Sequence, residues 1–121
     1  MEQLDQFRAT LATYRRHGWQ LRRVLMRPDT LARLRAAAPD APDAAAPPFE
    51  GVAVQPAEFD AMWLARPSHG GREAWELRLI AEPPYALFEL FEPDEPEEDR
   101  EDVRREMEAR IRDEGGERDE G

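Results

Sequence analysis

Residues 61–91 read AMWLARPSHGGREAWELRLIAEPPYALFELF, and this stretch decides the fold. Its three apolar runs are separated by two turn-forming segments, PSHGG at 67–71 and EPP at 82–84. Clusters of glycine and proline of this kind interrupt regular structure and favour reversals of the chain. In the middle run, apolar and charged residues alternate with the period of two that is typical of a half-buried strand. The stretch therefore predicts a meander of consecutive antiparallel strands.

The N-terminal part predicts a helix, a strand and a second helix. Apolar residues recur at spacings of three and four over 3–17, which predicts a helix, and Gly18 ends it. Apolar and polar residues alternate loosely over 19–26, which predicts a strand whose successive side chains point to opposite faces of the sheet. A short helix is expected to begin at Pro28, with Asp29 as its cap.

These patterns together predict an α+β fold. We expect an antiparallel sheet of three to five strands, with N-terminal and C-terminal helices packed against it. Residues 36–48, AAAPDAPDAAAPP, predict an extended, polyproline-like loop inside the core. The expected organisation is a core over 1–92, an acidic helix over 93–114 that packs on the core or extends from it, and a disordered tail over 115–121.

Charge is distributed unevenly along the chain. The whole protein has a net charge of −10, and residues 92–121 alone hold 15 acidic residues and 6 arginines. Val103, Met107 and Ile111 form a narrow apolar stripe in this segment, which predicts a helix that touches the core along one line and ends at Gly115-Gly116. At least one of the N-terminal arginines Arg15, Arg16, Arg22 and Arg23 is expected to meet its carboxylates.

Several classes of function lack the residues that they need. The chain has no cysteine, and its two histidines, His17 and His69, are far apart, so no cofactor or metal site is expected. Ser68 precedes His69 directly in a turn, where the two side chains are not positioned to pair, and no other catalytic motif is present. We therefore expect a protein that is not an enzyme. Neither a membrane span nor a secretory signal is visible, which predicts a cytoplasmic location.

The basic residues and the net charge bear on the source of the protein and on nucleic-acid binding. Lysine and asparagine are absent while alanine and proline are abundant, which is typical of a GC-rich bacterial genome. The arginine pairs at 15–16 and 22–23 flank Trp19 and could hold a phosphate. The net charge of −10 opposes nucleic-acid binding, because phosphate contacts dominate that affinity. We therefore expect no nucleic-acid partner.

The leading hypothesis is a small acidic protein-interaction or regulatory module. Residues 85–92, YALFELFE, are apolar on both sides of one strand, and a single layer of helices would leave one sheet face uncovered. An uncovered apolar face usually marks an interface, so we expect a protein partner or a second copy of the chain in a homodimer. The candidate surface residues are Trp63, Tyr85, Phe88, Phe91, Arg15, Arg16, Arg22 and Arg23.

Two other hypotheses stay open. The first is a small-molecule-binding domain, with a cavity between sheet and helix that is lined by Trp19, Trp63 and Trp75 and has an arginine at its mouth. The second is a secretion-type chaperone or an immunity-like protein, which the chain resembles in size, charge and architecture only. No residue receives a role from that resemblance.

Overall fold

A five-stranded sheet with helices on both faces forms the body of the protein. The computed structural model describes residues 3–37, 49, 51–81 and 83–120, with the side chains of the last helix described as far as Asp113. The elements are α1 (Gln3–Arg16), β1 (Gln20–Met26), α2 (Pro28–Ala37), β2 (Ala53–Pro56), β3 (Ala61–Pro67), β4 (Glu73–Leu79), β5 (Tyr85–Phe91) and α3 (Glu97–Glu120). The predicted α+β class is confirmed.

The sheet has the strand order β2-β1-β3-β4-β5. The predicted meander is confirmed, since β3 pairs with β4 and β4 with β5, both antiparallel, and β1 is also antiparallel to β3. At the other edge, β2 pairs with β1 in parallel, so the sheet is mostly antiparallel and mixed at this edge. The chain between these two strands passes through α2, and such a crossover returns the next strand in parallel. Of the predicted loop 36–48, residues 36–37 belong to α2 and the remainder lies outside the described residues.

The sheet separates two apolar clusters. On the first face, α1 and α2 cover a cluster of Leu4, Phe7, Leu11, Leu21, Val24, Met26, Leu31, Leu34, Phe49, Met62, Leu64 and Ile80. On the second face, α3 covers a cluster of Leu25, Ala61, Trp63, Ala65, Trp75, Leu77, Leu79, Phe91, Met107 and Ile111. The expectation that one whole face lacks a helix is therefore wrong. The acidic helix is a layer of the core, because its buried side chains complete the second cluster.

A bulge in β1 decides which face each of its residues reaches. The register between β1 and β3 shifts between Leu21 and Arg23. Leu21 and Val24 both join the first-face cluster, whereas Leu25 joins the second. Regular alternation would put Leu21 and Leu25 on the same face, and that prediction is wrong because the extra residue of a bulge reverses the alternation. The shift also directs Arg23 towards α3.

Asp60 is a buried carboxylate that joins three elements. It lies just before β3, and its side chain accepts hydrogen bonds from the Arg27 backbone N–H (2.8 Å), the Thr30 hydroxyl (2.8 Å) and the Gln3 amide (3.0 Å). Its backbone carbonyl accepts the N–H of Ile80. Asp60 therefore holds the starts of α1 and α2 against the sheet. Its buried carboxylate is satisfied by three donors, as buried polar groups must be.

Both expected helix boundaries need correction. Asp29 lies inside the first turn of α2, since the N–H of Leu31 already donates to the carbonyl of Arg27. At the C-terminus, α3 continues past the predicted end at Gly115-Gly116 and reaches Glu120. A helical glycine costs only about 1 kcal/mol relative to alanine, which a long run of good helix formers can offset. The division into segments 1–92, 93–114 and 115–121 stays a prediction.

Replacement of Asp60 tests its joining role. Asp60→Ala leaves the Arg27 N–H and the Thr30 hydroxyl without their acceptor, while the Gln3 amide keeps its bond to the carbonyl of Ile80. We expect the free energy of unfolding to fall by about 3 kcal/mol. Urea denaturation followed by tryptophan fluorescence measures the change. Asp94→Ala, at an exposed turn position, is the matched control and should stay within about 0.5 kcal/mol of the parent. Equal stability of the two variants would contradict the assignment.

Candidate functional site

The aromatic residues predicted to form one surface lie in different environments. Trp63 is fully buried and Phe91 is 1% exposed, so neither belongs to a surface. Both lie in the second-face cluster under α3, and Tyr85 packs against that cluster half-buried. Phe88, by contrast, is 59% exposed on the opposite side of β5. The inclusion of Trp63 and Phe91 in the candidate surface is therefore wrong, because α3 covers them.

The four predicted arginines are divided between the two sides of the sheet. Arg23 lies 3.6 Å from the Glu101 carboxylate and 3.7 Å from that of Glu108, so the predicted pairing with the last helix is confirmed for Arg23. Arg22 lies 4.0 Å from the carboxylate of Glu73 in β4. The other two arginines, at positions 15 and 16, are exposed at the end of α1, across the sheet from α3.

Arg104 is the buried centre of the contact between α3 and the sheet. Its side chain is 3% exposed, and its guanidinium carbon lies 4.1 Å from the ring centroid of Trp75 and 5.4 Å from that of Phe91. The guanidinium donates hydrogen bonds to Glu97 (2.7 Å) and Glu101 (2.8 Å). A desolvated cation over aromatic rings is stabilised by about 2 kcal/mol. The apolar rings and the acidic helix are therefore joined by a cation that contacts both.

The charges around Arg104 stabilise one another. Its hydrogen bond lowers the pKa of Glu97. The pKa of Glu101 is also lowered, because hydrogen bonding from Arg104 and the charge of Arg23 together outweigh burial, which acts in the opposite direction. Burial likewise opposes the charge on Arg104, but its two glutamate partners raise its pKa. The triad therefore stays ionised at neutral pH, as a paired buried charge must.

The contact between α3 and the sheet continues along the helix. We use the name α3 seal for the residues of α3 that make it: Arg100, Arg104, Met107, Glu108 and Ile111. Arg100 lies 5.6 Å from the Phe91 ring centroid and donates to the carbonyl of Glu92 at 2.7 Å. The indole N–H of Trp63 donates to Glu108 at 2.8 Å. Met107 and Ile111 are buried, as the apolar stripe predicted. The sequence did not lead us to expect that Arg100 and Arg104 contact the core, although positions 100, 104, 107 and 111 have the spacing of one helix face.

The cavity predicted between sheet and helix is not formed by the three tryptophans. Trp63 and Trp75 pack edge to face on the second face, with ring centroids 6.0 Å apart. Trp19 lies on the first face, beside Tyr14 at the end of α1. The sheet therefore separates Trp19 from the other two. Aromatic packing fills the space where a ligand was expected.

The first face is covered only in part, which leaves an exposed strip that we name the outer patch: Trp19, Arg66, Ala86, Phe88 and Leu90. Helices α1 and α2 lie over β1 and β3, and β5 lies beyond them. The guanidinium carbon of Arg66 lies 5.6 Å from the Trp19 ring centroid. An open groove of about 500 Å³ runs between Trp19 and Phe88. The patch thus combines exposed apolar and cationic groups at one end of the sheet.

A polar cluster separates α1 from the outer patch. The Tyr14 hydroxyl donates to the carboxylate of Glu76, and Arg78 donates to the same hydroxyl at 3.5 Å. Burial, followed by the hydrogen bond to Glu76, raises the pKa of Tyr14 to about 12. Glu76 and Arg78 lie on β4 and face the side of the sheet that α1 covers. Their charge explains why the apolar core of the first face ends here.

Among the residues that the structure describes, the remaining candidates from the sequence have no side-chain partners that would support chemistry. Ser68 and His69 lie in the short 3-10 turn region between β3 and β4, with His69 exposed. Within the described residues, no group of three or more acidic, histidine or cysteine side chains could hold a metal ion. The helices of the described part include none with the length and apolar character that would cross a bilayer.

Arg104→Ala tests the α3 seal. The variant removes the stacked cation and leaves the carboxylates of Glu97 and Glu101 without their partner, so we expect the free energy of unfolding to fall by about 2 to 3 kcal/mol. Arg104→Lys should restore only part of the loss, because an ammonium cannot stack and bind both glutamates as a planar guanidinium does. Arg105→Ala is the control, since Arg105 is 70% exposed. Urea denaturation measures all three, and equal losses for positions 104 and 105 would contradict the seal.

Titration of Tyr14 tests the polar cluster. The chain has two tyrosines, so Tyr85→Phe leaves Tyr14 alone, and tyrosinate absorbance should report a pKa of about 12. Because the folded state favours the protonated hydroxyl, the stability that Tyr14 contributes is full below pH 10.0 and is lost as the pH rises through about 12. Glu76→Gln should lower this pKa only part of the way to 10.0, since burial is its largest cause. A midpoint near 10.0 before that substitution would contradict the assignment.

No protein-family model, no curated protein and no solved structure matches the chain. The choice of function therefore depends on the geometry of the described residues. Two features dominate that geometry. The α3 seal is internal and stabilises the fold, whereas the outer patch is exposed and is the candidate functional site.

Proposed function

We propose that the chain is a non-enzymatic protein-interaction module that binds an extended apolar protein segment along the outer patch and the free edge of β5. The observation that carries the proposal is the 59% exposure of Phe88 in the middle of β5, a strand that pairs on one side only within the described part of the chain. A single exposed aromatic residue is common on protein surfaces. An exposed aromatic residue on an unpaired strand offers main-chain and side-chain contacts together, which is the arrangement used in strand addition.

The composition of the patch supports a protein partner. Trp19, Arg66 and Phe88 are of the residue types that are enriched at protein interfaces. Leu90, 36% exposed, extends the apolar surface along β5. The guanidinium of Arg66 makes two contacts within its own chain. It lies over the Trp19 ring, and it donates a hydrogen bond to the carbonyl of His17 at 2.8 Å. The arginine is therefore held in place before a partner arrives, which reduces the entropy lost on binding.

The shape of the groove favours a protein segment over a small molecule. Sites for small ligands are concave and enclose most of the ligand surface. The groove between Trp19 and Phe88 is open to solvent on the side of β5, so a small ligand there would stay largely in water. An extended segment paired with β5 would cover that open side and place an apolar side chain in the groove. The small-molecule hypothesis therefore has less support than the protein-interaction hypothesis.

Photocross-linking in the cells of origin tests the proposal. A photoreactive phenylalanine analogue at position 88 should give cross-linked protein products, because this position lies inside the contact. The same analogue at position 105, exposed on α3, is the control and should give few products. Equal labelling from the two positions, or none from either, would contradict the proposal. Product masses then show whether the captured protein is this chain or another.

A further inference from the structure

We infer that the segment bound at the free edge is β5 of a second copy, so that the protein forms a two-fold symmetric dimer through antiparallel β5–β5 pairing centred on Phe88. This inference rests on the proposed function and adds the identity of the partner. It is carried by the direction of the backbone groups of β5, by the contrast between the two edges of the sheet, and by the register that self-pairing allows.

The direction of the free backbone groups follows from the β3–β4 hairpin. The N–H of Ser68 donates to the carbonyl of Arg72, and the N–H of Ile80 donates to the carbonyl of Asp60. Backbone groups alternate along a strand, so the even-numbered residues of β4 face β3 and its odd-numbered residues face β5. In the register of β4 with β5, odd-numbered residues pair with odd-numbered residues. The N–H and C=O groups of residues 86, 88 and 90 therefore point outward along the free edge.

Two hydrogen bonds agree with this direction. The N–H of Leu90 is bound by the Glu89 side chain at 3.2 Å, and the N–H of Glu92 is bound by the Glu95 side chain at 2.7 Å. Both donors are even-numbered, and both lack a strand partner on that side. Carboxylates of the chain itself thus occupy donors that a strand partner would otherwise satisfy. A second strand would replace the bond to Leu90 with a ladder bond of better geometry.

The two edges of the sheet are protected to different degrees. At one edge, β2 is four residues long and ends in Pro56, and short strands with proline resist pairing. At the other edge, β5 has seven residues, YALFELF, with no proline, no basic residue and one charge, at Glu89. A long apolar edge without such protection is a template for another strand. The difference between the edges indicates that β5 is kept free for a partner.

Self-pairing about Phe88 matches the side chains of β5 with one another. Phe88 would lie opposite Phe88 of the second copy, Ala86 opposite Leu90, and Leu87 opposite Glu89. All seven residues of β5 are then paired, and aromatic and apolar cross-strand pairs each contribute roughly 0.2–1 kcal/mol. A register centred on Glu89 would place two carboxylates face to face, which is destabilising. The sequence of β5 therefore favours the register centred on Phe88 over the one centred on Glu89.

The dimer joins the two sheets and buries the exposed apolar residues. The two-fold axis runs perpendicular to the sheet, so both copies of Phe88 lie on the first face, next to Leu90 of each chain. Each chain has a net charge of −10, and the two acidic helices lie on the same side of the joined sheet. Like charge opposes association, and salt screens it. Dimerisation is consequently expected to become tighter as ionic strength rises.

Analytical ultracentrifugation of the purified full chain tests the stoichiometry. The parent should sediment as a dimer at high micromolar concentration, and added salt should tighten the dimer. Phe88→Glu places two carboxylates on the symmetry axis and should weaken the dimer at least about tenfold, a loss of about 1.4 kcal/mol. Gln55→Glu, on the β2 edge, is the control and should leave it unchanged. Circular dichroism checks that each variant is folded.

Cysteine cross-linking tests the register. Because the chain has no native cysteine, only the introduced thiols can form disulfides. Phe88→Cys should oxidise to a disulfide-linked dimer by itself. Ala86→Cys and Leu90→Cys should each cross-link poorly alone but efficiently when mixed, because position 86 faces position 90 of the other copy. Gln55→Cys reports random collision. Strong cross-linking of Ala86→Cys with itself would overturn the register centred on Phe88.

The possible outcomes separate the two proposals. A monomer at every concentration overturns the β5–β5 dimer. If photocross-linking at position 88 then captures a different protein, the interaction module stands and only the identity of its partner is wrong. If the protein is monomeric and position 88 captures nothing, both proposals fail. A dimer that Phe88→Glu leaves intact also overturns the inference, since the contact then lies elsewhere.

Discussion

The fold depends on the stacking of Arg104 between an acidic helix and two aromatic rings. The second sheet face ends in Trp75 and Phe91, whose rings need an apolar or cationic cover. The helix that covers them offers few apolar side chains and many carboxylates. Arg104 satisfies both sides, since its flat face contacts the rings while its N–H groups bind Glu97 and Glu101. Without that cation, acidic side chains would face an apolar surface, which is costly.

This seal also determines where a functional surface can be. Once α3 covers the second face, the odd-numbered residues of β5 are half-buried or buried, and its even-numbered side is the more exposed one. On the first face, α1 and α2 stop short of β5, where Tyr14, Glu76 and Arg78 form a polar boundary. The exposed aromatic Phe88 lies just beyond that boundary. The outer patch is therefore what remains after three helices have covered five strands.

The distribution of charge has a structural role within the chain. Part of the attraction between the basic N-terminal region and the acidic C-terminal region is used internally, where Arg23 meets Glu101 and Glu108 across the second face. Arg104 and Arg100 supply further positive charge from the acidic helix itself. The outward side of α3 keeps its carboxylates in water. An acidic exterior of this kind favours solubility and restrains association, which leaves the short, nearly neutral β5 edge as the most favourable place for contact.

The sequence by itself determined the class of the fold, the meander and the buried stripe at Met107 and Ile111, because these follow from local periodicity and turn residues. It also predicted the pairing of an N-terminal arginine with the last helix, and it named Phe88 as a surface residue, which is 59% exposed. Only the tertiary structure decided that β2 is parallel, that a bulge turns Arg23 towards α3, and that Trp63 and Phe91 are enclosed. Those outcomes depend on crossover direction, strand register and helix placement, which arise from contacts between residues far apart in the chain. For the same reason, arginines that the sequence presents as solvated charges became the centre of a buried contact.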